Sequence, residues 1–353
     1  MASISSSSSS SSSSIWRVPE PIKLVFDTFP LKTYSLNKKS DLTLFPQNTT
    51  NKFELIKKDQ DQSQFSSQGN FQLGVYNVSK YVKDPNVLIP TDPICLSTLL
   101  IINLRNGLLL PKVKFPEGDN GNIKNNNFIT ILSYHASYDG ELPLLIEDNS
   151  GKNLQKSIKS TSLINDLNLT RCTDNKEFFK CQVVDSILYD CWVITVLYEL
   201  SDLQKLKIYT DLLNDKENSM VLDTLTLNDL LASTLITRFS FNIRNENLAS
   251  YWSNNNLIKN LVYRRSLLLK IEMEKNSIFR KTLEILEIFE QELAKSNFFL
   301  EENNKELPSI LDCKIAGLVY CILQWCEGSK LYAMINTLPN LKSHCYRCID
   351  KCI

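Results

Sequence analysis

Near the C-terminus, His344, Cys345, Cys348 and Cys352 gather an imidazole and three thiols on one short stretch. Cysteine and histidine in such clusters can hold zinc. The thiols stand at i, i+3 and i+7, one face of a helix, and free cysteine commonly packs as a small hydrophobe. A second Cys-x-x-Cys is missing, so the stretch predicts a packed helix face and no bound metal. His135 and His344 are the two histidines of the chain, which excludes most chemistry built on imidazole. A second cluster is basic. Lys259, Arg264, Arg265, Lys270, Lys275, Arg280 and Lys281 set seven cations against Glu272 and Glu274. It reads either as a solvated helix face with ordinary ion pairs or as a contact for anionic lipid headgroups, with Arg264, Arg265 and Lys270 the candidate contacts.

The whole chain sets bounds on these readings. Its 353 residues correspond to roughly two domains at about 150 residues each. The 39 basic and 39 acidic residues cancel, which argues against a nucleic-acid binder dominated by phosphate contacts. No run of about 18 uninterrupted apolar residues is present, so a membrane association is expected to be peripheral. Leu99–Leu110 is interrupted by Asn103, Arg105 and Asn106, and Ile187–Leu200 by Asp190 and Glu199. Ser5–Ser14 is a serine run without the apolar core of a secretory signal and reads as a disordered tail. Ten cysteines spread along a long chain without such a signal are expected to be reduced thiols.

The elements that would position a site can be placed from local signals. Residues 1–14 form the tail and 15–36 an extended arm, in which Ile22–Phe26 reads as a short strand ahead of Phe29-Pro30-Leu31-Lys32-Thr33-Tyr34. Pro30 biases its predecessor toward extended backbone, which leaves the arm's backbone groups free for a partner. Residues 37–70 are rich in Asn, Lys, Asp, Gln and Ser and read as a polar linker or insertion. An alternating strand opens at Phe71. Asp92-Pro93 starts a helix that Gly107 ends. A strand is expected within Leu108–Phe115, another at Phe128–Ser133, and a final helix at Leu154–Leu167. Leu142-Pro143 directly before the apolar run Leu144-Leu145-Ile146 is unusual for a strand, because proline removes a ladder donor. A thioredoxin-like domain tolerates it, with a cis proline at the start of its third strand, and the order of elements over 71–168 fits that fold.

From residue 169 to 353 the chain reads as nearly all helix. Phe279, Leu283, Leu286, Phe289 and Leu293 recur at helical spacing with charge on the opposite face. Ser309 and Asp312 form a capping box ahead of a helix that is apolar on all sides except at Lys314. The predicted fold class is therefore α/β plus all-α: a thioredoxin-like N-terminal domain followed by a C-terminal helical domain, which is glutathione-transferase-like.

Three motifs carry a resemblance to the metaxins, and among them to the fungal subunits of the mitochondrial sorting and assembly machinery. They are Phe29–Tyr34 after the Ile22–Phe26 run; His135-Ala136-Ser137-Tyr138-Asp139-Gly140-Glu141-Leu142-Pro143; and Asn297-Phe298-Phe299 with Pro308–Leu323 and Asn340-Leu341-Lys342. Tyr138-Asp139 stands where the family has Pro-Ser. The resemblance implies a peripheral, non-enzymatic protein without a cofactor on the cytosolic face of the mitochondrial outer membrane. Its implied partners are a β-barrel insertase subunit, a second metaxin-like subunit, and β-barrel precursors such as porin. Its implied task is to receive the precursors' β-signal, with Phe29, Pro30, Leu31, Lys32, Thr33 and Tyr34 the candidate contacts; Pro143, Ser309 and Asp312 are structural.

The competing reading is a glutathione-transferase-like enzyme. It needs a Ser, Tyr or Cys after the first strand to activate a thiol, for which Tyr76 and Ser79 are available. It also needs an acid or Gln beside Ser before the last helix, which Glu147–Gly151 and Gln155-Lys156-Ser157 only approximate. Fold alone does not carry activity.

Overall fold

The computed structural model describes residues 52–58, 70–113, 127–133, 136, 137, 139–148, 156–172, 174–210, 231–253, 257–300 and 307–353. Ser5–Ser14, Ile22–Phe26, Phe29–Tyr34, His135 and Tyr138 lie outside them, as do the side chains of Arg264 and Arg265.

A five-stranded sheet organises the first half of the described chain. Its strands are β1 (Lys52–Glu54), β3 (Asn70–Val75), β7 (Phe128–Ile131), β8 (Leu144–Asp148) and β9 (Lys156–Lys159), in the order β1-β7-β3-β8-β9. β3 and β7 are parallel, and α1 (Pro93–Asn106) joins them; β8 and β9 run antiparallel. That is the thioredoxin-like order with one strand added outside β7. Two small antiparallel strand pairs flank it. β2 (Ile56–Lys57) pairs with β6 (Leu108–Leu109), and β4 (Val78–Lys80) with β5 (Leu88–Pro90). Alternation puts Phe71, Leu73 and Val75 of β3 into the core.

Local chemistry sets α1. Asp92 Oδ2 accepts from the N–H groups of Ile94 and Cys95 at 3.1 and 3.0 Å, and Pro93 occupies the first turn. Gly107, at φ +59°, ends the helix in the left-handed conformation. The Leu142-Pro143 bond is cis, immediately before β8.

Two expectations change. Residues 37–70 are not linker throughout, because β1 and β2 lie there. Phe53 and Leu55 alternate with polar residues, and Leu55 is fully buried. A strand of three residues inside a polar stretch can pair on an existing sheet edge, although it carries little periodic signal. The helix expected at Leu154–Leu167 starts later, as α2 (Thr161–Leu169). Ahead of it, Lys156–Lys159 pairs with Asp148–Leu145 as β9. Tertiary pairing decides so short a segment.

The remainder is helical: α3 (Asn175–Glu199), α4 (Asp202–Tyr209), about two turns of helix at 231–237, α5 (Phe241–Arg244), α6 (Glu246–Ser253), α7 (Leu257–Leu293), α8 (Ile310–Trp325), α9 (Lys330–Asn336) and α10 (Pro339–Asp350). α8 lies at the centre and packs on α1, α3, α9 and α10. Its Gly317 permits the close approach to α1, since a Cβ there would lie 2.9 Å from both the Pro93 carbonyl oxygen and the Ser97 nitrogen. α3 has the length and apolar composition to cross a membrane, but 72% of its apolar window is buried inside the fold. Cys191, Trp192, Val193 and Ile194 are core residues, so α3 serves as a core helix here.

Candidate functional site

The place to look for thiol chemistry is the end of β3, beside the cis proline and the N-terminus of α1. A helix N-terminus offers unpaired N–H groups to an anion. Here the chain fills that position itself, with the buried Asp92 carboxylate. Arg238 enters from the helical half and closes the rest. It is about 1% exposed. Nη1 lies 3.5 Å from Asp92 Oδ1, Nη2 donates to the Tyr76 hydroxyl at 3.1 Å and to the Leu142 carbonyl, and Nε faces Glu141 Oε2 at 3.8 Å. The Leu142 N–H donates to the Tyr76 hydroxyl at 3.2 Å. Both backbone groups of Leu142 are therefore satisfied from within the chain.

The turn that delivers Arg238 is held from behind. Phe239 and Ser240 take φ of 51° and 59°, which costs non-glycine residues of order 1 kcal/mol each. Arg244 donates to the Phe239 carbonyl and pairs with Asp190 through Nη2 at 2.6 Å and Nε at 3.1 Å. Asn245 adds a bond to the same carboxylate at 2.7 Å. The Phe239 ring meets Tyr189 edge-on at 5.0 Å.

This arrangement suits holding two halves of a fold together better than activating a thiol. Burial pushes the Tyr76 hydroxyl far above its ordinary pKa, against the attraction of Arg238. Ser79 sits in the β4–β5 hairpin opposite Ile89. Burial likewise raises the Cys95 thiol at the start of α1.

The C-terminal cluster comes together through another element. Asp312 of α8 meets His344 and Cys348 of α10, the three ligand-type atoms lying within 4.8 Å of one another. His344 Nε2 stands 2.6 Å from Asp312 Oδ1 and 3.4 Å from Cys348 Sγ. A relay for nucleophilic catalysis needs carboxylate and thiol on opposite ring nitrogens, and here both share one. Asp312 is also committed elsewhere. It accepts from the Ser309 N–H at 2.8 Å, the Ser309 hydroxyl at 2.7 Å and the Phe299 N–H at 3.0 Å. Ser309 Oγ accepts in return from the Asp312 N–H, completing the capping box. Burial raises the Cys348 thiol. The cluster anchors α10 on α8; Cys345 of α10 is buried as well, and so is Cys352 in the turn that follows the helix.

Lys314, the odd residue of α8, is buried with its Nζ 2.6 Å from both Asp185 oxygens and from Asn165 Oδ1. It ties α8 to α3 and α2. Lys270 is exposed on α7. Sequence reasoning assigned Asp92 as a cap, but nothing local marked Arg238 as its ion-pair partner. The faint signal is a lone cation after a mostly apolar stretch, Leu230–Ile236, that only Ser233 and Thr234 interrupt.

A family model described as "SAM35, subunit of SAM complex" matches residues 16–147, a span that takes in Phe29–Tyr34 and the cis proline. The sorting assembly machinery 35 kDa subunit of Saccharomyces cerevisiae is 27% identical over 339 residues, covering 92% of this chain and 94% of that protein.

Proposed function

From its similarity to the SAM35 family model over residues 16–147 and to the yeast 35 kDa subunit, we infer that this chain belongs to the metaxin and SAM35 family and works as a non-enzymatic subunit of the mitochondrial outer-membrane sorting and assembly machinery. It sits peripherally on the cytosolic face, beside a β-barrel insertase subunit and a second metaxin-like subunit. It receives the β-signal of barrel precursors such as porin. The carrying observation is likeness to one such subunit along nearly the whole of both chains. The Arg238 network supports the non-enzymatic part, since the tyrosine and backbone that would serve a thiol are occupied from within.

The physical task suits a receptor of this kind. A strand arriving unpaired exposes backbone donors and acceptors that invite association. Temporary pairing to a sheet edge satisfies them, and pockets for alternate side chains add selectivity. The arm Phe29–Tyr34 is the proposed contact with precursor or insertase, and Arg264, Arg265 and Lys270 the proposed contacts with anionic headgroups.

A tagged chain isolated from outer membranes in mild detergent should bring down a barrel protein and a second metaxin-like chain. It should also leave the membrane in alkaline carbonate. Recovery alone, or resistance to carbonate, contradicts the reading. Photoreactive residues at Phe29 and Tyr34 should capture an arrested precursor or the insertase, and capture of neither rules out the arm.

A further inference from the structure

Between α1 and α2 a cleft of about 350 Å³ opens over the helical face of the sheet. Phe71, Leu145 and Ile164, each nearly buried, form apolar parts of its floor beside the polar Asn106 and Asn168, while Arg105 and Arg171 stand on its rim. Both arginines are exposed, and neither guanidinium has a hydrogen-bond or ion-pair partner among the described residues. The carboxylate that lines the cleft, Glu147, is already used: it accepts from Lys159 Nζ at 2.7 Å and from Ser157 Oγ at 3.4 Å. The cleft is thus cationic above a partly apolar floor. Burial and the charge of Arg171 both depress the pKa of Arg105.

Next to the cleft the sheet ends. β9 is its last strand and, among the described residues, pairs only with β8. Lys159 of β9 lines the cleft, and Ile158 on the opposite face of the strand is 49% exposed. An unpaired edge of this kind can take up an added strand.

We propose that the β9 edge and the Arg105–Arg171 cleft together form a docking site for an extended segment of a partner protein that carries carboxylates between apolar side chains. The edge supplies backbone pairing, the floor takes an apolar side chain, and the two arginines take a carboxylate. A concave site beside a free edge fits a peptide strand better than a membrane surface, which favours a broad basic face. The proposal rests on the preceding section only in suggesting a barrel precursor as the source of the strand.

The test uses the full chain and a fluorescent strand peptide of alternating valine and glutamate, with the valine–glutamine peptide as control. The glutamate peptide should bind more tightly, and the affinity should fall with salt. Arg105→Glu with Arg171→Glu should weaken binding by roughly tenfold or more, as expected for loss of charge-assisted bonds. Both side chains are exposed, so the melting temperature should stay near wild type. Equal binding of the two peptides, no binding at all, or an unchanged affinity in the double variant would each overturn the proposal. So would displacement of the peptide by phosphatidylserine vesicles but not by excess unlabelled peptide. The source of the strand is read separately, from porin assembly in mitochondria carrying the double variant. Normal assembly there with weakened peptide binding would keep the docking site and remove the precursor as its occupant.

Discussion

Arg238→Met tests how the two halves of the fold are joined. The substitution keeps a long stem and removes the guanidinium. Asp92, with none of its surface exposed, then keeps its two cap bonds but loses its counter-charge. The Leu142 carbonyl loses the arginine donor, and Tyr76 keeps only the Leu142 N–H. Removing one partner of a buried pair costs about 3–5 kcal/mol. In a chain of this size that lowers the melting temperature by roughly 4–7 °C. Circular dichroism during heating, with urea titrations as a second measure, reads the loss. Arg238→Lys keeps a charge but cannot reach the same set of acceptors, so it should fall between wild type and Arg238→Met. The cost should also be non-additive with Asp92→Asn, because the second change removes the stranded charge. A loss below about 1 kcal/mol in Arg238→Met, well under the range for a broken buried pair, would refute this account of the junction.

Gly317→Ala should destabilise the chain by about 1–3 kcal/mol, because the new methyl meets backbone atoms of α1 that cannot rotate away; an unchanged urea midpoint would argue against the tight α1–α8 approach. Lys314→Ala should cost about 3–5 kcal/mol by leaving Asp185 buried and unpaired, whereas Lys314→Met with Asp185→Leu should recover most of it. Of the ten cysteines, Cys172 is half-buried and the others are buried, so a thiol reagent should label about one site quickly in the native protein and all ten in denaturant. Fast labelling of several native thiols would contradict the packed α8–α10 face.

The features legible in the sequence are those set by neighbours along the chain. Asp92, Pro93 and Gly107 bound α1 by local hydrogen bonds and backbone preference, and the structure has those ends. Ser309 and Asp312 form their capping box within one turn. Of the cysteines spaced i, i+3, i+7, Cys345 and Cys348 do lie on one buried helix face, while Cys352 is buried in the turn just past the end of α10. What escaped depends on residues far apart in sequence. Arg238 meets Asp92 across 146 positions, and Asp312 reaches His344 from another helix. Lys314 stood out as the exception on an apolar helix, but its partner Asp185 comes from α3. β1 and β9 are three and four residues long, and their pairing on an existing sheet outweighs their own composition.

The central claim is that this chain serves the assembly of outer-membrane β-barrels. It is tested most directly by depleting the chain and following a labelled porin precursor into isolated mitochondria, with a matrix-targeted precursor as control. The account predicts that porin stalls before assembly while the control imports at its usual rate, and that restoring the chain restores porin. Porin assembling at an undiminished rate in depleted mitochondria would contradict it.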